Sequence, residues 1–203
     1  MAFFFADHGF DIWMNNSRGT RFSRHHMFYD PDIHKKEFWD YSFQEMAEYD
    51  LPALFEYVLA KTGAESVTYI GHSQGTMQMF AALAENSDYF RPKINLAIML
   101  APVTRIDNMS VQLLHKLKNF NTGIAMMESL GPELFSNPGA ESVLSGTVLS
   151  ITGIGDLGMW QFCDKDPNLC SEKARDTFLG HFPSGISFRS ALHFRQILLS
   201  KQF

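Results

Sequence analysis

"TYIGHSQGTMQ", Thr68 to Gln78, ends a β-branched and aromatic run, sets one serine between two glycines, and passes at once into helix-forming residues. Gly71-His72-Ser73-Gln74-Gly75 is a G-x-S-x-G pattern, and its setting gives it meaning. A strand before it and a helix after it make the sharp turn that exposes a serine hydroxyl at the top of a sheet. A serine there adopts a strained backbone, and side chains at Gly71 or Gly75 are expected to collide with neighbouring elements. A valine at 75 should therefore disrupt folding or activity. The Gln74 N–H points where a developing oxyanion sits, with the positive end of the next helix behind it. Ser73 is thus the candidate nucleophile and Gln74 the candidate oxyanion residue. The alternative is a strand-ending turn without chemistry. His72 adjoins the serine, but adjacent side chains leave such a turn in different directions, so it reads as structural or pocket-lining.

Outward from this turn the chain alternates. Upstream, "FDIWMN" (10–15) has a strand's period, and "AFFFADHG" before it reads as a helix ending with Gly9 at φ > 0. Ser42 and Glu45 form a capping box that opens a long amphipathic stretch to Lys61. Pro52 inside it predicts a kink or a restart near Asp50, and Thr62-Gly63 ends it. Downstream, a helix runs from Gln74 to Asn86. "INLAIMLAP" (94–102) then forms a continuous apolar run suited to a strand buried on both faces. Strand, helix, strand, helix, strand is an α/β order. After Pro102 the texture turns helical, in "MSVQLLHKLKNF", "GIAMMESL", "ARDTFLG" and "SALHFRQILLSKQ", with a short strand at most at Val148 to Ile151. The domains read as a sheet core over 1–102 and a mostly helical region over 103–203. In that region Val111, Leu114 and Leu117 lie on one face, either docking on the core or forming part of an apolar lid.

Composition narrows the classes. With 203 residues, 45% hydrophobic and 19% charged, the chain carries one full core, or a core plus an appendage. Nineteen Phe and eleven Met are ordinary core or the lining of a pocket for a greasy ligand. A net charge of -5 argues against nucleic acid as partner, and the basic stretch from Arg18 to Lys36, interleaved with Asp30 and Asp32, reads as a solvated loop. No run reaches the roughly 18 apolar residues of a transmembrane segment. The opening residues lack the charged n-region of a signal peptide. Cys163 and Cys170 close a small disulfide loop or stay free thiols. Without further ligands at suitable spacing they make no metal site, and no cofactor is expected.

Four stretches, "FDIWMNNSRGTRFSRHH", "FWDYSFQEMAEYDLPALFEYVLAKTG", "YIGHSQGT" and "LAIMLAPV", resemble the acid lipases, the family of gastric and lysosomal lipases and lysosomal cholesteryl-ester hydrolases. The similarity runs from Phe3 to Val103 and returns in "LGHFPSGISFRSALHFRQILLSKQF", which looks like the family's cap segment. The resemblance implies an α/β-hydrolase core with a helical cap. It also implies hydrolysis of acylglycerols or sterol esters, lipid-surface contact through the cap, and a secreted or lysosomal location. Ser73 matches the family nucleophile, Gln74 gives one oxyanion N–H, and Asn16, Ser17, Arg18 and Gly19 match an N-S-R-G loop read as support for the site.

The family's second oxyanion loop lies before the residue matched here by the start of this chain. Its triad Asp and His follow the cap, and the sequence stops at Phe203 as the cap ends. The expectation is therefore an incomplete member, inactive alone. A triad within these residues would use Asp156 and His181, in the hydrolase order Ser, Asp, His. Both fall where the resemblance places cap segments. His115 and His193 sit in helical patterns. Two rival readings stay open: a non-catalytic fragment or lipid-binding pseudo-enzyme, and an acyltransferase or thioesterase on the same turn.

Overall fold

Elements form in the computed structural model where the sequence supplies their ends. It describes residues 1–106, 131–134 and 184–203, with Ser129, Lys173, Thr177 and His181. In chain order they are α1 (Ala2–Asp7), α2 (Lys35–Phe38), α3 (Phe43–Glu45), a π-helical turn (Met46–Asp50), α4 (Leu51–Thr62), β1 (Val67–His72), α5 (Gln74–Phe90), a 3-10 turn (Arg91–Lys93), β2 (Ile94–Leu100), β3 (Glu133–Leu134), β4 (Ile186–Ser187) and α6 (Phe188–Ser200). The chain divides into two units, Met1–Arg18 with Tyr41–Thr104 and Gly19–Asp40 with Arg105–Phe203.

In the first unit the capping box forms as read. The Ser42 hydroxyl accepts from the Gln44 N–H at 3.2 Å, and the Glu45 carboxylate accepts from the Ser42 N–H at 2.6 Å. Near Asp50, where the sequence predicts a kink or a restart, the backbone stays helical but widens into a π-helical turn, and Pro52, which has no N–H to give the ladder, follows directly in α4. Gly63, at φ 70, closes α4 with its N–H on the Leu59 carbonyl at 2.9 Å. Gly9, at φ 84, does the same after α1.

β1 and β2 pair in parallel, from Val67 beside Ile94 to His72 beside Leu100, with α5 as the crossover. Phe55 of α4 packs edge-on against Phe90 at the end of α5, with ring centroids 5.6 Å apart, and stacks over Tyr69 of β1 at 6.3 Å. Met77 and Met79 of α5 are fully buried with them. α5 bends at Asn86, whose φ/ψ of -141/57 leave the helical region; the sequence had ended the helix at this residue.

Two readings are corrected. "FDIWMN" is not a strand: no described strand lies beside it to take its backbone N–H and C=O groups, so alternation alone does not make a ladder. Phe10, Trp13 and Met14 are exposed, and the Trp13 ring meets Tyr57 edge-on at 5.8 Å. β2 is not buried on both faces either. It is half-buried over most of its length, with Leu96 54% exposed, and among the described residues its far edge has no partner strand.

In the second unit β3 and β4 form a two-residue antiparallel bridge, and α6 starts on the Ser187 hydroxyl, which accepts from the Ser190 N–H at 3.0 Å. α6 falls on the helix read in "SALHFRQILLSKQ". Arg24 pairs with Asp32 and Lys35 with Glu133, each at 2.8 Å, so these cations are spent on carboxylates rather than gathered as a phosphate patch. The other helices expected beyond Pro102, the apolar face of Val111, Leu114 and Leu117, the strand at Val148 to Ile151, and Cys163 and Cys170 lie outside the described residues. No described helix is long and apolar enough to cross a membrane.

Candidate active site

β1 delivers Ser73 to the point where strand becomes helix. The ladder extends one residue beyond the strand, with the Ser73 N–H donating to the Leu100 carbonyl at 3.0 Å. The backbone then reverses: Ser73 has φ 52 and ψ -115, in a region that a side-chain-bearing residue occupies at a cost of about 1–3 kcal/mol. α5 begins at the next residue. A serine in this position ordinarily caps the helix with its hydroxyl, yet Ser73 makes no side-chain cap bond, so Oγ is not spent on the helix. The Gln74 N–H, the first of α5, has no acceptor within the helix and presents positive partial charge beside it. Ser73 and Gln74 are half-buried, and His72 is exposed at the strand's end.

The two glycines do unequal work. A Cβ on Gly71 would lie 2.8 Å from the Tyr69 ring and 3.0 Å from both the carbonyl carbon and oxygen of Gly75. A Cβ on Gly75 would meet only the Tyr69 hydroxyl, at 3.5 Å, an ordinary contact. The crowding expected at both positions is concentrated at Gly71, because Gly71 faces backbone, which cannot step aside.

Two side chains missed by the motif brace the turn. The Tyr69 hydroxyl donates to the Gly75 carbonyl at 2.9 Å, and burial pushes its phenol up to about 12. Thr76, with no exposed surface, donates from Oγ1 to the Ser73 carbonyl at 2.6 Å and accepts from the Val103 N–H at 2.9 Å. A Thr one turn into a helix is unremarkable as a pattern, and Val103 is distant in sequence, so no local signal marks the pair.

The N-S-R-G loop is tied to the π-helical turn through Arg18. Its Nε lies 3.0 Å from both Asp50 carboxylate oxygens, Nη2 lies 2.5 Å from Oδ1, and the guanidinium sits over the Tyr41 and Tyr49 rings. Burial works against its charge, but Asp50 outweighs that and raises the Arg18 pKa.

Of the possible triad partners, Asp156 lies outside the described residues. His181 is an exposed turn residue whose Nδ1 faces the Arg21 guanidinium. A triad histidine uses that nitrogen to donate to a carboxylate, so the described contacts lend the Asp156–His181 reading no support. Among the described residues no histidine hydrogen-bonds to Ser73, and no cluster of His, Cys, Asp and Glu could hold a metal ion.

The description alpha/beta hydrolase fold matches residues 2–125. The whole chain aligns with gastric triacylglycerol lipase of Rattus norvegicus at 35% identity over 51% of that protein, and with its Homo sapiens counterpart at 32% over 51%. It also aligns with lipase member K of Homo sapiens at 30% identity over 50% of that protein. The chain therefore spans about half the length of the curated relatives it matches. It belongs to the α/β-hydrolase fold family, and its relatives within that family are the lipases that the sequence resembles.

Proposed function

We propose that this α/β-hydrolase-fold chain carries the nucleophile half of a lipase that cleaves the carboxylic esters of acylglycerols or sterol esters. The observation that carries the reading is Ser73 at φ 52, ψ -115, wedged between β1 and α5 with its hydroxyl left unused by the helix. The gastric relatives' name supports triacylglycerol as substrate and the K-type relative's name supports a lipase, while sterol esters enter through the resemblance of the sequence alone. Ser73 Oγ attacks the ester carbonyl, and the oxyanion of the tetrahedral intermediate accepts the Gln74 N–H. Collapse expels the alcohol and leaves an acyl-enzyme, which water hydrolyses. A base must take the Ser73 proton in the first step, and that role is not filled from among the described residues. The test is Ser73→Ala in a full-length protein that carries this segment with its base: ester hydrolysis and covalent labelling by a serine-directed phosphonate should both disappear. Labelling at the wild-type rate would remove Ser73 from the mechanism.

A second reading rests on that unfilled role: a lipid-binding protein without hydrolytic activity, separated from the first by whether a longer protein that carries this segment turns over an ester.

A further inference from the structure

The Ser73 carbonyl and the Gln74 N–H are the two ends of one planar, trans peptide unit, so they point in opposite directions and turn together. Whatever holds the carbonyl aims the N–H. Thr76 holds it twice, through its own N–H at 2.9 Å and through Oγ1 at 2.6 Å.

A helical threonine often bonds back to the preceding turn, so that contact alone would say little. The second partner is what distinguishes it. The Val103 N–H, in the segment that follows β2, donates to the same Oγ1 at 2.9 Å. A backbone N–H can only donate and a carbonyl can only accept, so the hydroxyl has one consistent orientation: it receives from Val103 and gives to Ser73. Thr76 has no exposed surface, so bulk water does not compete for either bond. The clamp thus ties the peptide after the strained serine to a different segment, close to Ala101, which itself has φ 47.

We propose that Thr76 is a positioning residue that aims the Gln74 N–H at the oxyanion formed when Ser73 attacks its ester. This rests on the acyl-enzyme reading above and adds a residue to it. Thr76 touches neither substrate nor reacting atoms; it acts through the peptide unit between residues 73 and 74.

Thr76→Val keeps the shape and removes both hydroxyl bonds. In the active protein, kcat on a short-chain aryl ester should fall about tenfold to a hundredfold, less than the loss of a whole oxyanion donor, while KM stays near wild type. Affinity for an alkyl boronic acid, which mimics the tetrahedral state, should fall in parallel with kcat. Thr76→Ser should recover most of both. Val103→Pro, which removes the remote donor and leaves the turn's own residues intact, should shift kcat and boronate affinity in the same direction by a smaller factor. The NMR order parameter of the Gln74 N–H should fall in Thr76→Val and not in Thr76→Ser.

Unchanged kcat in Thr76→Val overturns the assignment; if that variant fails to fold, unchanged kcat in Val103→Pro does so. A lower order parameter at Gln74 with unmoved kcat and boronate affinity likewise reduces Thr76 to a structural residue. Hydrolysis that survives Ser73→Ala sinks the acyl-enzyme reading and this proposal together. Insensitivity to Thr76→Val, with Ser73→Ala dead, sinks this proposal alone.

Discussion

Gly71 faces the backbone of Gly75 across the serine turn, with the position of a Cβ on Gly71 only 3.0 Å from the Gly75 carbonyl carbon and oxygen. Gly71→Ala therefore drives a methyl group against a peptide and should destabilise by about 1–3 kcal/mol, as overpacking does. Gly75→Ala meets only an ordinary contact within the first turn of α5, and should be neutral or stabilising by about 0.5–1 kcal/mol through helix propensity. Thermal unfolding of the two variants checks the order. A larger loss from Gly75→Ala than from Gly71→Ala would reverse the assignment of which glycine the turn requires.

Tyr69 should ionise late. Burial raises its phenol to about 12 from an ordinary value near 10. The folded state thus favours the neutral phenol. That contribution to stability is complete below about pH 10 and is lost as pH rises through about 12. The difference between the ultraviolet titrations of wild type and Tyr69→Phe isolates this group, and a midpoint near 10 in the folded protein would contradict the burial. Tyr69→Phe should also cost about 0.5–1.5 kcal/mol for the bond to the Gly75 carbonyl.

What was legible in the sequence is what is local. The Ser42 and Glu45 box and the stop at Gly63 each depend on residues within one turn of each other and formed as read, while the kink or restart expected near Asp50 is a π-helical turn in an unbroken helical backbone. The strand-to-helix passage at Ser73 is local too, and the motif located its backbone strain to the residue. The misreadings are about partners. Phe10 to Asn15 has a strand's alternation but no described strand to pair with, and β2 has a core strand's composition with a half-exposed surface. The same limit hid the bracing of the site. Arg18 and Asp50, or Thr76 and Val103, meet only once the chain has folded back, and nothing in either member's neighbourhood names the other.

Arg18 and Asp50 should be coupled more strongly than an exposed pair. Their side chains are 30% and 21% exposed, the contact is bidentate, and two tyrosine rings flank the guanidinium. Asp50→Asn should cost about 1–3 kcal/mol, because it leaves a partly desolvated cation facing a neutral group. Arg18→Lys should not rescue the site, since an ammonium reproduces neither the fork nor the stacking. Urea unfolding of both single variants and the double variant measures the coupling. Strict additivity would show the pair to be incidental.

The 203-residue polypeptide expressed by itself should hydrolyse no ester above its own Ser73→Ala blank. A serine hydroxyl is a poor nucleophile at neutral pH unless a base removes its proton, and among the described residues no histidine hydrogen-bonds to Ser73. Gln74 supplies one candidate oxyanion donor, and each such donor is worth on the order of 100- to 1000-fold in rate. The far edge of β2, unpaired among the described residues and carrying Leu96 at 54% exposure, should also drive self-association. The measurement is turnover of a short-chain aryl ester by the purified polypeptide, with light scattering on the same sample. Two features of the outcome are then read together: absent turnover with concentration-dependent association fits a nucleophile segment whose base lies elsewhere. Robust turnover abolished separately by Ser73→Ala, Asp156→Asn and His181→Ala would overturn this, because it would mean that the polypeptide assembles its own triad. It would then require His181 to exchange its contact with Arg21 for one with a carboxylate.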